Sequence, residues 1–327
     1  MAKLKRIPGL DCSAPAGQMV PLVLRAQLKA MCALRHKALN WDDPEGVHDM
    51  RVLSRRLRSA ISDFKPYLRK SSLPRLKLRA IAKTLGTVRD EDVALLALEE
   101  LKLNAKEPAA EGIEILVKES RKRRQKARST LKVAIKGSAI DEFRKEFQAS
   151  LRTLASVSVK KSSNPVNHQP VAFSRLGIDV INARLKELKA GAPHIYSPFE
   201  INELHELRIL AKRLRYAMEL FAVCWGEKME EMAKEIALLQ TSLGELHDCD
   251  VWIERLGALL KQTARMDKRN KEIIRLRQGA TWLVKHFARE RMEHYRDALA
   301  RWQQWEADGL LTKLKSILEA QDISAKH

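Results

Sequence analysis

HDMRVLSRRLRSAISDF, residues 48–64, and HELRILAKRLRYAMELF, residues 205–221, are two versions of one segment standing 157 residues apart without a gap. Each opens on a histidine, His48 or His205, and closes on a phenylalanine, Phe64 or Phe221. Basic residues match between them: Arg51, Arg55, Arg56 and Arg58 in the first, Arg208, Lys212, Arg213 and Arg215 in the second. At about 100° per residue, a helix gathers His48, Arg51, Arg55 and Arg58 within an arc of about 80°. Leu53, Leu57, Ile61 and Phe64 then fall on the opposite side. The second copy sets His205, Arg208, Lys212 and Arg215 against Leu207, Leu210, Leu214, Met218 and Phe221. Arg56 and Arg213 lie off the main grouping; they are kept among the candidate anion-binding residues and are the members of the set most expected to form internal salt bridges. A solvated helix face normally mixes signs, because acid–base pairs one turn apart stabilise it by a few tenths of a kcal/mol. These stripes carry no carboxylate, so like charges stack turn upon turn. A row of anions along the helix would relieve that repulsion, and an arginine fork can hold two phosphate oxygens at once.

Working outward, a second pair of blocks follows in the same order. LGTVRDEDV, residues 85–93, matches LGELHDCDV, residues 243–251, at a spacing of 158, so one residue has been inserted between the blocks. Between the copies, SVSVKKSSNPVNHQP loses helical periodicity and gains serine, asparagine and proline. The expected organisation is a tail at 1–20, a first helical repeat at 21–155, a linker at 156–170, a second repeat at 171–318 and a tail at 319–327. First helices are expected over about 21–39 and about 171–190, each leading through a proline-containing loop into the histidine-led helix. Pro66 and Pro74 bracket one following turn and Gly226 marks its counterpart. Nothing alternates as a strand would, so the fold class is all-α.

Composition narrows the function. Lys and Arg number 61 against 41 Asp and Glu, a formal charge of +20, while hydrophobic residues make up 45% of the 327 and exclude a disordered basic tail. A compact chain this basic repels itself, which points to a polyanionic partner. Cys12, Cys32, Cys224 and Cys249 form no C-x-x-C pair, which suggests neither zinc nor an oxidising compartment. There is no secretory signal and no apolar run of the ~18 residues a membrane span needs. A cytoplasmic protein with no membrane insertion, no metal and no cofactor is expected. Further basic clusters, Arg121, Arg124 and Arg128 in one and Lys285, Arg289 and Arg291 in the other, are candidates for a secondary anion surface.

The four blocks, in this order, resemble the CHAD family, the conserved histidine α-helical domain, over roughly residues 21–315. The resemblance implies two four-helix bundle-like repeats related by pseudo-two-fold symmetry. It also implies binding of inorganic polyphosphate through a basic surface, often at polyphosphate granules. The family's histidine falls on His48 and His205, and its basic stripe on Arg51, Arg55 and Arg58 and on Arg208, Lys212 and Arg215. Near phosphate the imidazoles should gain a proton. The β-rich triphosphatase half carried by some members has no counterpart here, so no catalytic residues are expected.

Two rival readings stay open. Nucleic acid offers the same rows of phosphates, but aromatic residues are only 5% and no helix-turn-helix, zinc-finger or RNP signature is present. A metal-dependent phosphohydrolase is suggested loosely by His205, the His247–Asp248 pair and Asp250. The first copy has Arg89 at the position of His247, and Asp90 and Asp248 are equally suited to pairing near a helix.

Overall fold

The computed structural model describes residues 7–68, 72–161, 171–267 and 269–324. Among these the architecture is helical throughout, and the one β pairing is an isolated bridge between Pro15 and Ala172. The helices are α1 (Ala16–Ala33), α2 (Arg35–Ala38), α3 (Pro44–Asp63), α4 (Arg75–Asn104), α5 (Ala109–Ala134), α6 (Gly137–Lys161), α7 (Phe173–Gly191), α8 (Ile201–Phe221), α9 (Glu227–Thr263), α10 (Lys271–Asp308) and α11 (Leu310–Ser324). α1 starts five residues before the expected boundary and continues through Pro21. α6 continues through 156–161, the first part of the expected linker, because SVSVKK contains no helix breaker. The rest of the linker, 162–170, lies outside the described residues. α11 likewise extends into the expected C-terminal tail. No helix among the described residues is long and apolar enough to cross a membrane.

The chain divides into two compact units. The described parts of the first lie within Met1–Asp92 and Arg123–Val180; the second holds Val93–Lys122 and Ile181–Ser324. These units are not the two sequence repeats, because Val93–Lys122 belongs to the first repeat and to the second unit.

In the first unit, Asp43 starts α3 by accepting a hydrogen bond from the Glu45 amide at 2.9 Å, with Pro44 at the first helical position. Leu53, Leu57, Ile61 and Phe64 are all buried, as the apolar face of α3 requires. Phe64 packs against Phe173 at 6.3 Å, and Phe143 against Phe147 at 5.8 Å. Gly46 lets α3 lie against the chain before it: a Cβ there would fall 2.1 Å from the Lys37 carbonyl oxygen. Cys12 is disulfide-bonded and Cys32 is a free thiol.

In the second unit, α9 and α10 are 37 and 38 residues long, each about 55 Å at 1.5 Å per residue. Asn270 caps α10 by accepting from the Glu272 and Ile273 amides at 2.9 and 3.3 Å. Gly309 ends it in the left-handed region at φ 62°. The start of α5 crosses α10 where Gly112 meets Gly279: a Cβ on Gly112 would stand 1.9 Å from the Arg275 carbonyl oxygen. Around this crossing Leu95, Leu98, Ile113 and Val117 join Leu256, Leu283 and Phe287 in one core. Cys224 is disulfide-bonded and Cys249 is free.

Candidate functional site

In the first unit the stripe on α3 faces α4, which runs antiparallel to it. Gly86 of α4 lies beside Arg51, where a Cβ would touch Nε at 3.9 Å. Arg51 donates to Asp90 Oδ1 at 3.2 Å, an ion pair whose carboxylate is largely exposed and whose net worth is about 0–1 kcal/mol. His48, at one end, is half-buried, and its Nδ1 is buried without a hydrogen-bond partner. Burial first, and then the charge of Arg89 across on α4, lower its pKa below the usual histidine range. Arg58, at the other end, is exposed, and its pKa is lowered by burial and by the like charges of Arg79 and Arg55. The helix pair therefore sets His48 beside Arg89 at one end and holds Arg55, Arg58 and Arg79 against one another at the other.

The second unit repeats the plan on α8 and α9. The imidazoles of His205 and His247 stack with centroids 3.9 Å apart and planes inclined by 36°. Gly244 lies beside Arg208, a Cβ there falling 3.5 Å from Nε. Burial pushes the His247 pKa down to about 4, with His205, Arg208 and Lys212 adding to the shift. His205 is lowered as well, first by burial and then by Arg208, and its Nδ1 too is buried without a hydrogen-bond partner. Both shifts favour the uncharged rings, which sit amid the positive charge of Arg208 and Lys212.

Several expected site residues are engaged elsewhere. Arg215 is buried, donates to Glu219 at 3.1 Å and sits 4.9 Å over the Tyr216 ring. It therefore leaves the stripe, because Glu219 stands one helical turn on. Arg58, its counterpart, has Ser62 at that position and stays exposed. Arg213, expected in an internal salt bridge, is exposed and enters no ion pair among the described residues; Arg56 is half-buried.

The secondary clusters divide. Arg124 and Arg128 converge on the buried Asp92 at 2.5 and 3.3 Å, and Arg128 also donates to the Trp41 carbonyl and covers its ring at 5.0 Å. Arg291 does the same work in the second unit, reaching Asp250 at 2.5 Å and the Pro198 carbonyl at 2.9 Å. Asp92 and Asp250 come from matching blocks, as do Trp41 and Pro198 from the loops before the histidine-led helices. These three arginines are internal clamps, because each meets a desolvated carboxylate. Arg121 pairs with Glu99 at 2.7 Å. Lys285 and Arg289 are exposed.

Arg79, Arg89 and His247 line the basic groups; Arg79 was not singled out from the sequence, and Arg89 and His247 were noted there only as matching positions and, for His247, in the metal-dependent reading. Aligning Arg89 with His247 already marked the position, but only the antiparallel packing shows what each faces. Asp250, part of the metal-dependent reading, is held by Arg291. Glu45, His48 and Asp49 carry possible ligand atoms within 4.8 Å of one another, a grouping not expected from the sequence, and Lys37 already pairs with Asp49 at 3.6 Å.

Residues 22–257 match the family model described as the CHAD domain. No curated protein matches the sequence. The fold is similar to that of the CHAD domain from the plant Ricinus communis, with a TM-score of 0.71 and 22% identity over 91% of this chain and 96% of that one. It is also similar to PptA from Streptomyces chartreusis, with a TM-score of 0.62 and 18% identity over 89% of this chain and all of that one.

Proposed function

The chain belongs to the CHAD family, and from that premise we propose that it binds inorganic polyphosphate without cleaving it, through the cationic groups on α3–α4 and α8–α9. The carrying observation is that facing helices bring basic side chains together in both units: Arg89 near His48 and Arg79 near Arg58 in the first, Arg208 and Lys212 near His247 in the second, where burial first and these charges second lower the pKa of the group they face. Positive groups crowded in this way are stabilised when phosphates come between them. His48, Arg51, Arg55, Arg58, Arg79 and Arg89 form one set of contacts. His205, Arg208, Lys212 and His247 form the other. Arginine forks grip pairs of phosphate oxygens, while lysine and histidine add single contacts. Each contact releases counterions, so affinity falls steeply with salt. Linked phosphates raise the effective concentration for the next contact, so long chains bind more tightly than short ones.

The test is the variant Arg51→Glu/Arg55→Glu/Arg208→Glu/Lys212→Glu, assayed for long-chain polyphosphate binding beside its circular dichroism. Lost binding with retained helicity is expected. Retained binding in a folded variant refutes the assignment, as does displacement of polyphosphate by duplex DNA at equal phosphate concentration. Phosphate release in the presence of Mg²⁺ or Mn²⁺, abolished by Asp248→Ala, would refute the non-catalytic part. In cells, the reading places the protein in the cytoplasm at polyphosphate granules, which fluorescence co-localisation checks.

A further inference from the structure

A groove of about 540 Å³ in the second unit lies apart from the residues assigned to polyphosphate. Its floor is one face of α10, from Ile274 through Arg277, Gln278, Thr281 and Trp282 to Lys285, and the start of α5 forms its other wall. The volume falls within the range of small-molecule sites. No carboxylate lines it. Arg277 and Lys285 enter no ion pair among the described residues, whereas Arg275 and Arg291 on the same helix pair with Glu111 and Asp250. The two uncompensated cations stand eight residues apart, about 12 Å along the helix axis. Between them, the Trp282 ring stacks on His286 with centroids 5.6 Å apart and planes inclined by 1°. The Gly112–Gly279 crossing fixes this stretch of α10 against α5, so the walls are in place before a ligand arrives.

Uncompensated cations call for phosphate, and a bare phosphate chain has no use for an indole. We infer that this groove takes a nucleoside polyphosphate, with the base against Trp282 and the phosphates held by Arg277 and Lys285. Gln278 and Thr281 supply hydrogen-bonding groups between the two ends. Base–aromatic stacking is strong enough to favour such a ligand over an inorganic chain of equal charge by about tenfold.

Calorimetry of the full chain compares adenosine triphosphate with inorganic tripolyphosphate at fixed ionic strength. The wild type is expected to prefer adenosine triphosphate by about tenfold. Trp282→Leu should lose that preference while keeping its affinity for tripolyphosphate. Arg277→Gln/Lys285→Gln, which alters only groove-lining cations, should weaken adenosine triphosphate about tenfold with unchanged circular dichroism, and it carries the test should Trp282→Leu unfold. Equal affinity for the two probes in the wild type overturns the inference. So does a preference that survives in a folded Trp282→Leu, or adenosine triphosphate affinity unchanged in the double variant. Long-chain polyphosphate affinity, measured on the same variants, should not move. The two assignments can therefore fail separately.

Discussion

Replacing His247 by arginine tests how the second unit recognises anions. His247 stacks on His205, and its pKa lies near 4 instead of 6.5. The charged groups that lower it, Arg208 and Lys212, are among those assigned to phosphate. A polyanion bound between them reverses the sign of the local potential and favours the imidazolium. Binding then takes up a proton, and affinity rises as pH falls. If the anion restores the ordinary value, the linkage runs from pH 6.5 down to 4 and amounts to about 300-fold in affinity, at most about tenfold per pH unit. In the free chain the sign is opposite. The unfolded chain takes its proton near 6.5 and the folded one near 4, so stability contributed by neutral His247 is lost as pH drops through that window. His247→Arg, which copies Arg89 of the first unit, should bind polyphosphate more tightly at pH 7.5 and shed this share of the pH slope. His247→Phe should shed the same share without the gain, separating charge from ring. Calorimetry at pH 5.5 in two buffers of different ionisation enthalpy counts the protons taken up. Proton uptake in His247→Arg equal to that of the wild type would refute the coupling.

The other predictions concern residues that look alike in sequence and differ in packing. Arg58→Gln should weaken polyphosphate binding and leave the melting temperature nearly unchanged, whereas Arg215→Gln should lower the melting temperature and spare binding; thermal melts and titrations on both variants check this. Arg291→Ala leaves Asp250 unpaired in the interior and should cost about 3–5 kcal/mol of stability in urea unfolding. Phe64→Ala, which empties a fully buried ring site, should cost about 3–5 kcal/mol by the same measurement. Gly112→Val forces a side chain into the Arg275 carbonyl and should destabilise the chain by more than Gly86→Ala, whose new methyl meets Arg51 at ordinary contact distance.

Much of this was legible in the residues. The 3.6-residue period of α3 and α8 separated the apolar faces from the basic ones, and the interior positions of α3 are the buried ones. Local chemistry also set the fate of Arg215: Glu219, four residues on, draws it in, while Ser62 leaves Arg58 exposed. What stayed hidden depends on partners far along the chain. Nothing in the segment RKRRQKAR, residues 121–128 with six basic residues among eight, tells that Arg124 and Arg128 reach back to Asp92 while Arg123 meets Glu91. The facing of His48 by Arg89 and of His205 by His247 follows from antiparallel packing, which periodicity does not specify. Val93–Lys122 joins the second unit through a core shared with Leu283 and Phe287 and a close approach of Gly112 to Gly279, and a lone glycine in a helix carries no such address.

That assignment has a consequence for synthesis on the ribosome. Leu95, Leu98, Ile113 and Val117 emerge early, but Leu283 and Phe287, against which they pack, are made about 170 residues later. At about 5–20 residues per second, these apolar side chains wait on the order of 10–30 s for their partners. The nascent chain therefore carries a sticky two-helix arm through much of its translation, and truncated products ending near the linker are the ones most exposed to aggregation and to chaperone capture.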